Sequence, residues 1–588
     1  MKIKYTPNLD WRSQAPKLTG EKSYLSLSGN NWNDFGVLSK LNSTLVIDGV
    51  VQPVEFSLKV LITDCDYTAN RLDELCAAGW NGEFPIPNVD YVSVPTDVDF
   101  YKVLQSKLDE SASQKVLLNL RDAGYLINVI RDDAAKVLSE VPAFSSSLLR
   151  DSGSSKSFQD GWRLFVGQES QIRDFTLNIL TTEYDSKPIP FRFESGLLPY
   201  DVNVLIGPNG IGKSYCLRSL VEYWLKTGIG DKKTLDGLGH EPFDVRPNIN
   251  RLILVSYSPF EEFSLGLTTE DKVSDKTSYR YFGFRQKREN DSKRINQKKG
   301  QNGRIRINLT KPKGERVRIN RNLPKFEASH SLIDAIFEDE KYKGESWWVN
   351  KFAAVESALK VALDFDHLAI KVNMSKAGGI LDGFPSIING EDYLELNGLI
   401  GAKYEKAVFK SICNFTDGIQ FIKDNKVKGL SSGQQLFSYI AINVVGAIRE
   451  HSLIVIDEPE LFLHPTLEIE FISLLKVILK PFKSKAILAT HSLAVVREVP
   501  SKCVHIFRNE GSGLEIVPPP FETFGGSVQR ISSYVFGDKS VSKPFDEWVE
   551  QQMKDNPDAE KLISDLGDEI NEELMMKILS LGRQYRGR

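Results

Sequence analysis

Gly207-Pro-Asn-Gly-Ile-Gly-Lys213-Ser214 follows the apolar run Val202–Ile206 and precedes an apolar helical pattern from Ser214 to Leu225. This is the strand, loop and helix order that a phosphate site needs. The eight residues satisfy GxxxxGK[ST] in full, a match expected by chance in roughly 0.02 chains of this length from average residue usage. Glycines at 207, 210 and 212 let the backbone fold tightly around Asn209, so that successive N–H groups point at β- and γ-phosphate oxygens. The following helix adds its positive N-terminal end. Lys213 would neutralise phosphate charge and Ser214 would place its hydroxyl on Mg²⁺. The bland alternative is a glycine turn ahead of a helix.

Further along, Leu453-Ile-Val-Ile-Asp457-Glu458-Pro459 is an apolar strand ending in two carboxylates. Open parallel α/β sheets present ligand-binding groups at such ends. Asp457 would hold the Mg²⁺ shell, and Glu458 would orient and deprotonate an attacking water as general base. A solvated acidic strand end is the competing reading, which the phosphate loop disfavours.

Leu430-Ser431-Ser432-Gly433-Gln434 resembles the LSGGQ signature of ABC-type ATPases, with Ser432 replacing its first glycine. Phosphate loop, signature, Asp-Glu-Pro strand end and Thr490-His491-Ser492 all stand in ABC order, and Asp457-Glu-Pro-Glu-Leu-Phe-Leu-His-Pro465 looks like the OLD/RecF/SMC-like branch. The resemblance covers roughly residues 170–510. It implies ATP and Mg²⁺ as cofactors, with Gly207, Asn209, Gly210, Gly212, Lys213 and Ser214 on the nucleotide, Ser214 and Asp457 on the metal, and Glu458 and His491 as catalytic groups. It also implies that Ser431, Gly433 and Gln434 reach the γ-phosphate held by a second subunit, so the expected working unit is a homodimer or higher homo-oligomer. Ser431 or Ser432 also suits a plain helix N-cap, and both roles can coexist. One departure concerns the stretch Ser256-Tyr-Ser-Pro-Phe-Glu-Glu262, where ordinary ABC proteins carry a glutamine. Ser256, Ser258 or a water is expected to fill that place.

The expected fold class is α/β: an ABC-type P-loop ATPase head with a large inserted subdomain, preceded by a smaller β-rich α+β domain. The expected divisions are residues 1–155 (β then α), 156–265 (first part of the head), 266–400 (insertion), 401–515 (second part of the head) and 516–588 (helical tail). Asp151-Ser-Gly-Ser-Ser-Lys-Ser157 reads as the linker behind the first of these. Inside the insertion, Lys276–Lys325 carries 17 Lys/Arg against three acids, Glu289, Asp291 and Glu315. Alternation in 304–309 and 316–320 predicts a hairpin with Arg304, Arg306, Arg316 and Arg318 on one face. Counterion release would draw a nucleic acid to it without sequence preference. A solvated loop or the dock of an acidic partner would use the same charges.

Composition excludes several classes. With 41% hydrophobic and 26% charged residues among 588, the chain is neither disordered nor a small disulfide scaffold. No run approaches the roughly 18 apolar residues of a membrane span. Met1-Lys-Ile-Lys-Tyr5 has no secretory apolar core, so a cytoplasmic chain is expected. Five scattered cysteines fit reduced thiols, and no His/Cys cluster suggests zinc. No convincing nuclease pattern occurs. The layout resembles the ATPase subunits of bacterial antiphage systems of the Septu type, also found with retrons, and PARIS-type ATPases are similar. The expected function is an ATP-hydrolysing sensor and regulator of a separate nuclease or toxin effector. A SMC/RecF-like DNA-repair clamp and a nucleotide-stabilised scaffold are the alternatives.

Overall fold

Aliphatic runs buried on both faces need a sheet covered by helices on each side, and they form one. The computed structural model describes residues 1–7, 18, 20–30, 37–181, 185–229, 240–265, 278–287, 317–377, 381, 386–509, 513–536, 544–555 and 558–586. Val202–Ile206 (β1), Arg251–Ser256 (β2), Tyr279–Gly283 (β3), Ser452–Asp457 (β4), Lys485–Thr490 (β5), Val504–Asn509 (β6) and Leu514–Val517 (β7) lie in the order β3-β2-β4-β5-β1-β6-β7. Every neighbouring pair is parallel except β6 and β7. Register places Ile206 opposite Thr490, Ala489 opposite Asp457, and Asp457 opposite Ser256. The carboxyl ends of four strands thus meet at one rim of the sheet, where such folds bind ligands.

Helix Lys213–Ile229 (α1) leaves the phosphate loop directly, and its Leu217, Leu220, Val221 and Trp224 share a core with Leu205, Leu252, Leu254 and Val455. Leu323–Lys341 (α2) and Ser432–Ala447 (α3) approach each other closely. A Cβ at Gly446 would stand 2.7 Å from the Cβ of Ser331, so only glycine permits this crossing. Ser331 Oγ also donates to Asn443 Oδ1 at 2.9 Å.

A second sheet occupies the N-terminal region, ordered Lys2–Thr6, Tyr24–Gly29, Lys40–Ile47, Ser57–Ile62 and Tyr91–Pro95, with Val50–Val51 hooked on the third strand. Its first pair is parallel and the rest are antiparallel. Leu25, Leu41, Leu58 and Val60 pack in one core with Phe100, Leu104 and Leu117 from helices Asp99–Lys107 and Glu110–Leu120.

The serine-rich stretch expected to be a linker is instead part of helix Ser152–Asp160, in which Ser154, Lys156, Ser157 and Asp160 are buried. Gly153 lets the helix press on the end of the N-terminal sheet, since a Cβ there would lie 2.1 Å from the Thr96 carbonyl oxygen. Lys156 Nζ bonds Asp160 and, at 2.9 Å, the Asn248 carbonyl; Arg173 reaches the same carboxylate at 3.0 Å. Pairing and complete hydrogen bonding are what allow such charges inside.

Beyond β3, a five-stranded antiparallel sheet runs in the order Ser386–Ile388, Glu391–Glu395, His367–Lys371, Ile419–Lys423, Lys426–Val427. It draws strands from both sides of residue 400, where the sequence was divided. Of the expected basic hairpin, Arg304, Arg306 and Arg316 lie outside the described residues. Arg318 is described, on Val317–Ile319, which pairs with Arg285–Lys287; all of 304–309 lies outside the described residues.

Residues Gly526–Arg588 form a separate compact unit from Met1–Gly525. This unit holds helices Val528–Phe536, Pro544–Asp555, Ala559–Leu566 and Glu572–Arg586, with a small core of Val549, Met553, Ala559 and Ile578. No described helix is long and apolar enough to cross a membrane.

Candidate nucleotide site

The loop between β1 and α1 takes its shape from its glycines. Gly210 and Gly212 have φ of 76° and 107°, a region that side chains disfavour. Gly207 serves a different purpose, because a Cβ there would sit 2.3 Å from the Phe507 carbonyl oxygen of β6. Pro208, Asn209 and Gly210 are exposed at the tip, while Lys213 is only 4% exposed. Its ammonium bonds the carbonyls of Gly207 and Pro208 at 3.0 and 3.1 Å and stands 2.8 Å from His491 Nε2. Burial holds its pKa below the usual lysine value.

Strand β5 lies between β1 and β4, so its end delivers His491 between the phosphate loop and the acidic pair. His491 Nε2 is also 3.5 Å from Glu458 Oε1. A single ring nitrogen can accept from the ammonium or donate to the carboxylate, but not both at once. Hydrogen bonding from the His491 ring, with Lys213 adding charge, holds Glu458 below the usual carboxylate range. Glu458 itself has φ of 48°, a left-handed conformation kept at cost by its surroundings. Its N–H donates to the Ala489 carbonyl at 2.8 Å, which fixes the turn that follows β4.

Asp457 is 3% exposed, and its Oδ1 accepts from Ser214 Oγ at 3.0 Å. Burial pushes its carboxyl up to about 7, with Glu458 and Glu261 adding repulsion against the help of Ser214 and Lys213. A cavity of about 350 Å³ opens here, lined by Ser214, Arg218, Glu261, Asp457 and Glu458. Among the described residues no three His, Cys, Asp or Glu side chains group closely enough to hold a metal alone. A small divalent cation at a phosphate site keeps one or two protein oxygens and completes its shell with phosphate and water. A hydroxyl bound to a buried carboxyl, beside a lysine parked on the carbonyls of its own loop, fits Mg²⁺ with a nucleotide phosphate.

The structure therefore gathers Gly207, Gly210, Gly212, Lys213, Ser214, Asp457, Glu458 and His491 at one rim. The signature residues are not tied to this cluster by any described hydrogen bond. Ser431 caps α3, accepting from the Gln434 N–H at 3.3 Å while the Gln434 side chain accepts from the Ser431 N–H at 3.1 Å. Ser431 and Ser432 are exposed, and Gly433 is buried. Three acids escaped the sequence reading. Glu460 accepts from the His491 N–H, and Glu468 accepts from Ser492 Oγ at 2.5 Å, so the two hold the turn after β5. Glu460 was within the quoted Asp457–Pro465 run and could have been found there. Glu261 lay inside the quoted Ser256–Glu262 stretch, where Ser256, Ser258 or a water was expected instead.

Residues 400–497 match the family model described as "AAA domain, putative AbiEii toxin, Type IV TA system". The matched part contains α3, β4, Asp457, Glu458, β5 and His491. Protein ea59 of Escherichia phage lambda is 28% identical over 198 residues, covering 32% of this chain. The chain spans 38% of the length of that relative. The family match over residues 400–497 and the parallel sheet are consistent with a mixed α/β chain of P-loop ATPase type.

Proposed function

We propose that this protein binds and hydrolyses ATP between two copies of the chain, and that the cycle controls a separate nuclease or toxin effector in bacterial antiphage defence. The observation that carries the reading is the union of Lys213, Ser214, Asp457, Glu458 and His491 at one sheet rim, from segments far apart in sequence. A family described by a toxin of a type IV TA system supports the defence context. The capped start of α3, where Ser431 and Ser432 are exposed, supports the second-copy role of Ser431, Gly433 and Gln434.

When bound with ATP, the divalent cation supplies Lewis-acid polarisation and neutralises phosphoryl charge. Lys213 exchanges its loop carbonyls and His491 for phosphate oxygens. Backbone N–H groups of residues 207–214 hold the phosphates at the start of α1. Glu458, kept ionised, accepts the proton of the attacking water on its carboxylate. His491, released by Lys213, donates from Nε2 to Glu458 and orients it. Basic residues such as Arg318 would contact nucleic acid through phosphates alone.

Light scattering with ATP and Mg²⁺, alongside phosphate release measured over a range of protein concentrations, tests this. The expected result is a doubled mass with the Glu458→Gln variant and turnover per chain that rises with concentration. Retention of no ATP, or equal turnover at the lowest concentration where the protein is a single copy, would overturn it.

A further inference from the structure

Helix α3 begins at the signature and β4 ends at Asp457, and only Ile448-Arg-Glu-His451 separates the two elements. All four of these residues line a cavity of about 730 Å³ at the seam between the N-terminal region and the head. The His451 N–H donates to the Phe482 carbonyl and the His451 carbonyl accepts from the Asn250 N–H, both at 2.9 Å, and Phe482 and Asn250 line the cavity too. Helix Asp99–Lys107 supplies another part of the wall with Asp99, Lys102 and Ser106. Lys102 Nζ pairs with Asp99 at 2.8 Å and also with Glu450, so this helix is tied by charge to the connector. Lys351 Nζ, on the same wall, donates to the Gly446 carbonyl in the last turn of α3 at 2.9 Å. The cavity is therefore bounded by the short segment that joins the signature helix to the strand of the acidic pair.

The volume suits a small organic molecule, and the lining says which kind. Trp347, Trp348, Phe482, Leu164 and Val98 make it mostly apolar. Trp348 is held firmly, its ring stacked on Tyr342 with centroids 4.3 Å apart and its Nε1 donating to Asp339 Oδ1 at 2.9 Å. Trp347 meets it edge-on, with 6.2 Å between centroids. Indoles so fixed pack against flat rings at low entropic cost. The charges of the wall are already matched: Lys351 and Arg449 pair with Glu338 at 2.8 and 3.1 Å, Lys483 with Glu450 at 3.3 Å, and Asp160 with Lys156, Arg163 and Arg173. A charged guest would leave water without meeting a free opposite charge inside, which is costly. Gly167, Gln168 and Glu169 are exposed and form part of the rim, so the cavity reaches solvent there. We propose that this cavity is an effector site for an uncharged, flat aromatic molecule, and that a guest in it shifts the 448–451 connector and so alters nucleotide affinity. The site itself goes beyond the nucleotide reading, and its effect on nucleotide rests on that reading.

The test titrates the full chain with prodan, an uncharged naphthyl ketone whose emission moves to the blue in apolar surroundings, and separately with anilinonaphthalenesulfonate, an anionic aromatic. Prodan should bind saturably at one site per chain, and the anion should bind there at least about tenfold more weakly. Leu164→Trp fills the cavity and should abolish prodan binding. Ser106→Trp should do the same from an exposed helix position, and it keeps the test decisive if the first variant fails to fold. Prodan Kd in the Glu458→Gln variant should change by about fivefold or more when ATP and Mg²⁺ are added. No saturable binding, binding that survives the tryptophan variants, or tighter binding of the anion overturns the effector site. An identical Kd with and without retained ATP overturns the coupling. Should Glu458→Gln retain no ATP at all, the nucleotide reading fails and the coupling with it, while the titration of the wild type still decides the site.

Discussion

Ser214 Oγ donates to Asp457 Oδ1 at 3.0 Å, joining the first turn of α1 to the end of β4 across 243 positions of sequence. The bond places a buried carboxyl, pushed up to about 7, beside the phosphate loop. For an acid whose folded pKa is raised, the native state holds a proton the unfolded state has lost, so stability falls as pH rises from about 4 to 7. The ionised carboxyl then costs the nucleotide-free protein on the order of 4 kcal/mol above that range. Asp457→Asn should raise the Tm of the nucleotide-free protein at pH 8 and, in the same preparation, abolish the contribution of Mg²⁺ to ATP affinity. Both are read by thermal melts with and without ATP and Mg²⁺. A variant melting below the wild type without nucleotide would mean that the carboxylate serves the fold rather than the cation.

Glu458→Gln tests the general base. Glutamine keeps the size and tolerates the left-handed backbone about as well as glutamate, so the turn at φ 48° should persist. It cannot take a proton at pH 7. Phosphate release should fall by about 100-fold or more while ATP affinity stays within a few-fold of wild type. Turnover at the wild-type rate would exclude Glu458 and direct attention to Glu460.

Local patterns made the rim legible before any coordinates. Leu453–Ile456 is a continuous aliphatic run and Val202–Ile206 is broken only by Asn203, and the phosphate loop marks its own place by glycines that have positive φ or no room for a Cβ. The capping box of Ser431 and Gln434 is likewise written in adjacent residues. What stayed hidden depends on partners distant in sequence. Helix Ser152–Asp160 has no apolar period, and its burial follows from Lys156, Asp160, Asn248 and Arg173 satisfying one another. Glu261 gains its place only because β3 sets Tyr281 beside it. Val317–Ile319 alternates as a strand should, but alternation cannot say which strand it pairs with.

Arg318 is exposed on Val317–Ile319, with Nη2 donating to Gln286 Oε1 at 3.2 Å, and among the described residues no acid is paired with it. Reversing Arg304, Arg306, Arg316 and Arg318 to Glu together should weaken binding of a labelled oligonucleotide uniformly across sequences. The slope of log K against log salt should become shallower by about 3, close to one phosphate contact per arginine removed. Fluorescence anisotropy from low to moderate salt reads both effects. An unchanged slope would remove these four positions from any nucleic-acid contact.

His451 is 4% exposed, with Nε2 2.8 Å from the Ser170 carbonyl, to which it donates as a neutral ring. Burial, with Lys156 beside it, pushes its pKa down to about 3, against the favourable charge of Glu450. The unfolded chain therefore binds a proton near pH 6.5 that the native chain refuses until far lower pH. Stability must rise with pH across this window, and be lost as pH falls through it. From pH 6.5 to 5 the loss from this one ring amounts to about 2 kcal/mol. Buried acids with raised values, such as Asp122 at about 6, act in the opposite direction in the same window, so the informative quantity is a difference between proteins. His451→Gln retains a donor for Ser170 but cannot be protonated. Its Tm should fall less than that of the wild type between pH 6.5 and 5, although it starts lower at pH 7.5 for loss of ring packing. Parallel Tm curves for the two proteins would show that the ring is accessible to protons in the native state, and that the junction around Lys156, Asp160 and His451 opens before the rest of the chain.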